Sequence, residues 1–214
     1  MIFFKKSPAT SHQPLSTLLV GLGNPGAEYE GNRHNVGFMA LDRIADTYRF
    51  PAYKKKFGGA VTEGEIDGKK LLLLKPLTFM NISGESVAAC AHFYKIQPTQ
   101  VFVLHDELDL PLGKLRVKMG GGHGGHNGLK SIDAHLGKEY RRVRIGIGHP
   151  GDKDAVSDYV LSDFPKAEKK QVDTMNEEIA RHIALLLAGN EAEFMNRISL
   201  AVHEPPPTTL KSRN

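Results

Sequence analysis

The chain has 214 residues, 40% of them hydrophobic and 24% charged, with one cysteine and no tryptophan. A chain of this length buries roughly 70% of its unfolded surface as one domain, and a lone cysteine excludes an internal disulfide and a cysteine-rich zinc site. The net charge of +4 makes the whole only mildly basic, so any grip on an anionic partner has to come from local clusters.

Residues 1–16 read as a tail, because Pro8 and Pro14 sit among polar residues with no apolar period; residues 201–214, with prolines at 205–207, read as a second tail. The opening MIFFKKSPATSHQP has no basic head leading into an apolar stretch, so no secretory signal is expected. The apolar runs at 71–74 and 183–188 fall far short of the ~20 residues of a membrane span. A cytoplasmic protein without membrane contact is the expectation.

Between the tails, TLLVGL (17–22) is a short apolar run ending in glycine, as a buried strand would be, and apolar residues at helical spacing predict a helix over 35–48. AVTEGEIDGKKLLLL alternates on both sides of Asp67-Gly68, a hairpin signal. A helix is predicted over 83–94, strands at 101–107, 114–119 and 142–148, and a helix at 127–136 between the last two. A long amphipathic helix follows over 165–189 and a short one near 191–198. Strands interleaved with helices, plus one hairpin, define a single α/β domain over 17–200 with a mixed β-sheet.

Gly21-Leu22-Gly23-Asn24-Pro25-Gly26 matches G-x-G-x-x-G after a strand. A dinucleotide fingerprint needs its last glycine at a helix start, whereas GAEYEGNRHN continues as a turn, and Pro25 lacks an N–H donor for pyrophosphate. Asp42, the acidic residue at the expected distance, falls in a predicted helix rather than at a strand end. The motif is read as a decoy, and no cofactor is expected.

The loop after TLLVGL is unusually polar: Asn24, Tyr29, Asn32, Arg33, His34 and Asn35. Other strand ends deliver Asn81, the run His105-Asp106-Glu107, and His123, His126 and Asn127 from a glycine-rich stretch. Strand carboxyl ends are where α/β sheets bind ligands. A histidine supplies a base near neutral pH, a carboxylate on one ring nitrogen sets its tautomer, and amides bind a carbonyl and its developing oxyanion. Each residue also has a structural reading: His34, Asp106, Asn81 and Asn127 suit caps and turns, and Cys90 suits a small core position. His123 and His126 have a possible metal spacing, but no H-E-x-x-H helix or third ligand accompanies them. No metal is expected. Basic clusters occur at Lys54–Lys56, at Lys114, Arg116 and Lys118, and at Arg141, Arg142 and Arg144; they suit either solvated faces or a phosphate backbone.

Taken together, VGLGNPGAEYEGNRHNVGF, KPLTFMNISGESV, HDELDLPLGKLRVKMGGGHGGHNGLKSI and RVRIGIGHPG resemble bacterial peptidyl-tRNA hydrolases, in the same order over 17–198. The resemblance implies a single α/β domain with a twisted mixed β-sheet flanked by helices, acting on peptidyl-tRNA as a monomer. The implied reaction is cleavage of the ester between peptide and the 3′-terminal ribose, which returns prematurely released tRNA to use. It further implies His34 as base and Asp106 as its orienting carboxylate. Asn24 and Asn81 would position the peptide, Asn127 would hold water and substrate, and Tyr29 would line the end of the cleft that takes the tRNA terminus. Lys118, Arg144 and Lys153 would be its tRNA contacts. Two other classes stay open at this point, a nucleotide-binding oxidoreductase and a noncatalytic RNA-binding module, as does a reaction in which the vicinal ribose hydroxyl assists.

Overall fold

The structure, a computed structural model, describes residues 15–203. The tails expected at 1–16 and 201–214 therefore lie mostly outside the described residues. One boundary is corrected, because the last helix continues through His203. The elements in chain order are β1 (Leu18–Gly21), α1 (Val36–Thr47), β2 (Lys54–Lys56), β3 (Gly59–Ile66), β4 (Lys69–Pro76), α2 (Ser83–Tyr94) and β5 (Val101–Glu107). They continue with β6 (Leu115–Met119), α3 (Asn127–Leu136), β7 (Arg141–Gly146), α4 (Val156–Val160), α5 (Lys166–Leu187) and α6 (Glu191–His203).

The seven strands form one mixed sheet in the order β2-β3-β4-β1-β5-β7-β6. β1 lies at its centre, parallel to both β4 and β5, and β7 runs parallel to β5. The outer strands β3 and β6 pair antiparallel with β4 and β7. The parallel strands are apolar at nearly every position because both of their faces are covered. Leu19, Leu71, Leu73 and Leu104 pack in the layer that includes α1, α5 and α6 residues such as Ile44, Ile179 and Phe194. Leu18, Val20, Leu72 and Leu74 point the other way, with Val87 of α2 and Ile132 of α3. Each fully buried leucine contributes about 2 kcal/mol of transfer free energy.

The predicted hairpin forms at its predicted turn: Asp67 and Gly68 have φ of 48° and 79°, as a two-residue type I′ turn requires. Two elements escape the periodicity reading. β2 is three exposed lysines on the sheet edge, where charge discourages further pairing, and α4 is five residues with none buried. The basic face expected on the strand at 142–148 is only half solvent-facing. Arg142 is 2% exposed and donates to Asp133 Oδ1 at 2.9 Å and to the Gly122 carbonyl, so it is internal structure and not free to meet a phosphate.

Candidate active site

The glycine hexamer is a packing device. A Cβ on Gly21 would lie 2.4 Å from the Gly37 carbonyl oxygen, and one on Gly37 would lie 2.3 Å from that of Leu104. Only glycines let the first turn of α1 rest directly on β1 and β5. After Gly26 the chain enters a short 3₁₀ turn, Ala27–Tyr29, and no long helix begins before Val36, so no dinucleotide cradle forms. What the close approach accomplishes is placement. The turn Arg33–Asn35, just ahead of α1, is set over the carboxyl end of β5.

There His34 Nδ1 lies 2.8 Å from Asp106 Oδ1, with side-chain exposures of 11% and 3%. The same oxygen receives a second imidazole, His126 Nε2, at 2.9 Å. His126 is the N-cap of α3, and its Nδ1 accepts the backbone N–H groups of Gly128 and Leu129 at 3.1 and 3.4 Å. A nitrogen that accepts two N–H groups carries no proton, so the His126 proton sits on Nε2 and is donated to Asp106. His34 likewise donates from Nδ1, which leaves its Nε2 lone pair for the cleft that it lines. The caps expected of Asp106 and Asn127 are thus made by neither residue: Asp106 accepts from the two rings, and His126 caps α3.

Burial taken alone would lower the His34 pKa, but the charge and hydrogen bond of Asp106 outweigh it and hold the value above 6.5. Burial pushes Asp106 the other way, yet the two histidines keep its carboxyl well below the usual carboxylate range. Because the His34 shift is upward, its contribution to stability is full below pH 6.5 and fades as pH rises through its own pKa. The melting-temperature gap between the native chain and His34→Ala should therefore be widest in mild acid and narrow toward pH 9. A gap that widens with pH would contradict this.

His105, adjacent in sequence, plays no such part. It is buried, donates Nδ1–H to the Asp106 carbonyl at 2.7 Å and packs edge-on to the His126 ring. Burial, then the neighbouring His126, push its pKa down to about 3. Cys90 is also buried, its thiol pushed up to about 12 by burial, as suits the core position predicted for it.

Amides complete the site. Asn24 and Asn35 bond reciprocally, Asn24 N–H to Asn35 Oδ1 and Asn35 Nδ2 to the Asn24 carbonyl, both at 2.9 Å. Asn24 Oδ1 accepts Met80 N–H at 2.9 Å, so the end of its amide left for a ligand is the Nδ2 donor. Asn81, in a short turn before α2, and Asn127, the first residue of α3, are exposed and carry no side-chain hydrogen bond among the described residues. They are brought together by Gly84, whose Cβ position is 2.2 Å from the Ser131 carbonyl, so that α2 and α3 start side by side.

His34, Asp106, Asn24, Asn81, Asn127 and Lys153 all line one cleft of about 1320 Å³. Tyr29 is half-buried in its turn and is not among the lining residues. Lys118 is exposed on β6, and Arg144 on β7 is held by Glu107 at 2.7 Å; both stand outside the cleft, although Glu107 lines it. The role of His126 was not legible in the sequence, where it stood among the polar strand-end residues without a role of its own and as half of a metal-like pair with His123. Its signal would have been the imidazole immediately before a helix start.

The ligand atoms of His34, Asp106 and His126 lie within 4.8 Å of one another, the grouping closest to a metal site among the described residues. The donor set does not fit a metal. Coordination through His126 Nε2 would force its proton onto Nδ1, against two backbone N–H groups already aimed there. A chelator should leave turnover unchanged; loss with recovery on adding zinc or manganese would contradict this protonation state.

An open mixed α/β sheet with a buried histidine–carboxylate pair and an amide-walled cleft beside its strand ends suits a hydrolytic enzyme. The family model "Peptidyl-tRNA hydrolase" matches residues 18–206, and the chain belongs to the peptidyl-tRNA hydrolase family. It is 55% identical over 191 residues to the peptidyl-tRNA hydrolase of Rhizobium meliloti (strain 1021), covering 89% of this chain and 80% of that protein. It is 54% identical to that of Ruegeria sp. (strain TM1040), covering 90% and 77%. The crystal structure of peptidyl-tRNA hydrolase from Acinetobacter baumannii superposes with a TM-score of 0.82 at 44% identity, over 89% of this chain and 98% of that one.

Proposed function

We propose that the chain hydrolyses the ester that joins a peptide to the 3′-terminal ribose of tRNA, acting as a monomer in the cytoplasm to recycle prematurely released peptidyl-tRNA. The observation that carries the reading is the His34–Asp106 pair, its tautomer set, at the floor of a cleft lined by Asn24, Asn81 and Asn127. Asp106 accepts from His34 Nδ1–H, and His34 Nε2 takes a proton from water as the water oxygen attacks the ester carbonyl. The tetrahedral intermediate is supported by amide N–H donors, Asn127 among them. On collapse the carbonyl–ribose bond breaks, and the leaving oxygen recovers the proton from the His34 imidazolium. A ribose oxygen leaves without the strong acid assistance an amine demands, so one base suffices. Asn24 and Asn81 position the peptide portion, and Tyr29 supports the tRNA-terminus end from its turn.

Lys118, Arg144 and Lys153 are assigned to tRNA phosphates, which they steer and position without reading sequence. Lys118→Ala and Arg144→Ala should each raise KM for peptidyl-tRNA and reduce the salt slope of binding by about one. A short ester analogue should be cleaved as before; equal losses on both substrates would point to structural damage. The direct test of the function is cleavage of an N-blocked aminoacyl-tRNA by the purified protein. Tight tRNA binding without ester cleavage would instead indicate an RNA-binding module.

A further inference from the structure

Arg33 immediately precedes His34 and is 5% exposed. Its Nη1 donates to Ser162 Oγ at 2.9 Å and to the Asp163 carbonyl at 2.6 Å, and its Nη2 to Glu168 Oε2 at 2.8 Å. The guanidinium carbon lies 4.3 Å from the centre of the Tyr159 ring and 5.2 Å from that of Phe164. The backbone repeats the attachment, Arg33 N–H to the Ser162 carbonyl at 3.0 Å and Phe164 N–H to the Gly31 carbonyl at 3.2 Å. Every partner belongs to residues 159–168, the stretch that leads from α4 into α5.

That stretch forms part of the cleft. Val156, Val160 and Leu161 line it, yet no residue of α4 is buried. The loop ahead of α4 is tied at its start, Ile147 N–H to the Glu107 carbonyl at 3.1 Å and Gly148 N–H to the Leu110 carbonyl at 2.9 Å; beyond Gly148 its hydrogen bonds among the described residues are local, Gly151 N–H to His149 Nδ1 and Asp154 N–H to Asp152 Oδ1. From the β7 side α4 is anchored by Tyr159 OH donating to the Ile147 carbonyl at 2.6 Å. Tyr159, Val160 and Phe164 rest partly buried against the main core, and Asn32 Nδ2 donates to Asp163 Oδ1 at 2.8 Å, but the largest set of polar ties between this wall and the turn that carries His34 converges on one buried cation, the Arg33 guanidinium. A guanidinium suits the task because its planar fork reaches three acceptors while its face stacks on Tyr159.

We infer that Arg33 is a positioning residue that fixes the α4 wall of the cleft at its working distance from His34, and so sets how tightly substrate is gripped. The inference rests on the ester-hydrolysis reading for its substrate. The His34–Asp106 bond does not pass through the Arg33 side chain, so loosening the wall weakens binding and spares the chemistry.

The test is a KM-against-kcat split. Arg33→Gln should raise KM for N-blocked aminoacyl-tRNA about tenfold, with kcat within about twofold of the native chain and an unmoved pH profile. Arg33→Lys keeps the charge beside Glu168 without the fork and should recover part of the KM. Should Arg33→Gln fail to fold, Tyr159→Leu, which removes the stacking face, should raise KM in the same way. Unchanged KM in these variants, or kcat falling in step with KM while the Lys variant recovers nothing, would overturn the inference. Binding of an uncleavable 3′-amide analogue separates the two readings. Weakened analogue binding by Arg33→Gln supports the positioning role even if the native chain cleaves no ester, and unweakened binding refutes it even if cleavage is fast.

Discussion

Replacing His34 by alanine is expected to cut ester cleavage by about 10² to 10⁴-fold, the range for loss of a general base. tRNA affinity should stay near that of the native chain, because the basic residues assigned to phosphates lie on other segments, Lys118 on β6, Arg144 on β7 and Lys153 in the loop before α4. The fold should survive as well: Asp106 keeps the His126 N–H as a donor at 2.9 Å, so the buried carboxylate is not stranded. The measurement is single-turnover cleavage of N-blocked aminoacyl-tRNA, with binding followed separately. Turnover at the native rate would remove His34 from the mechanism in favour of a reaction in which the vicinal ribose hydroxyl of the substrate assists.

Asp106→Asn is the second large effect, with kcat expected to fall by about 10² to 10⁴-fold. Asparagine is neutral, so it no longer stabilises the imidazolium formed when His34 takes a proton from water. Its amide can also turn an N–H toward His34 Nδ1, which would push the ring proton to Nε2 and abolish the base. The substitution carries a second signature. Asp106 is what holds the His34 pKa above 6.5 against burial, so removing its charge lets burial act unopposed. The activity of the native chain should rise with pH through a pKa above 6.5, and the residual activity of Asp106→Asn should rise through a lower one. A limb that stays in place would mean that the activity titrates some other group.

His126 separates the contributions of charge and geometry. Its Nε2–H donates to the same Asp106 oxygen as His34, so it competes for negative charge and also pins the carboxylate rotamer. His126→Ala should lower kcat, through loss of the second anchor, by less than Asp106→Asn does. It should also destabilise the chain by about 1 kcal/mol for the lost cap of α3. Equal kcat losses in the two variants would show that the rotamer and not the charge is what matters.

Much of this architecture is legible in the sequence itself. The helix at 83–94 and the hairpin at Asp67-Gly68 appear at their predicted positions because strong periodicity and turn chemistry act over a few neighbouring residues. Three exposed lysines become β2 only because Gly59–Val61 offers them a pairing edge, and α4 has no apolar stripe to announce it. Arg142 carried a misleading signal. Alternating arginines look like a solvated strand face, but Asp133 arrives from α3 and neutralises one of them in the interior.

The candidate residues divide in the same way. Residue chemistry offered a wider pool of imidazoles, carboxylates and amides, and the resemblance carried by the long motifs nominated His34, Asp106, Asn24, Asn81 and Asn127 from it. Which nitrogen of each histidine holds the proton, that one carboxylate oxygen serves two rings, and that Arg33 binds the far wall were settled only by folding. The Arg33 and His34 contacts and the shared carboxylate oxygen join segments 20 to 135 residues apart, whereas the His126 tautomer is set by N–H groups two and three residues on once α3 has formed. Local sequence preferences act over a turn or two, whereas hydrogen-bond direction and burial are set by whatever the chain brings alongside.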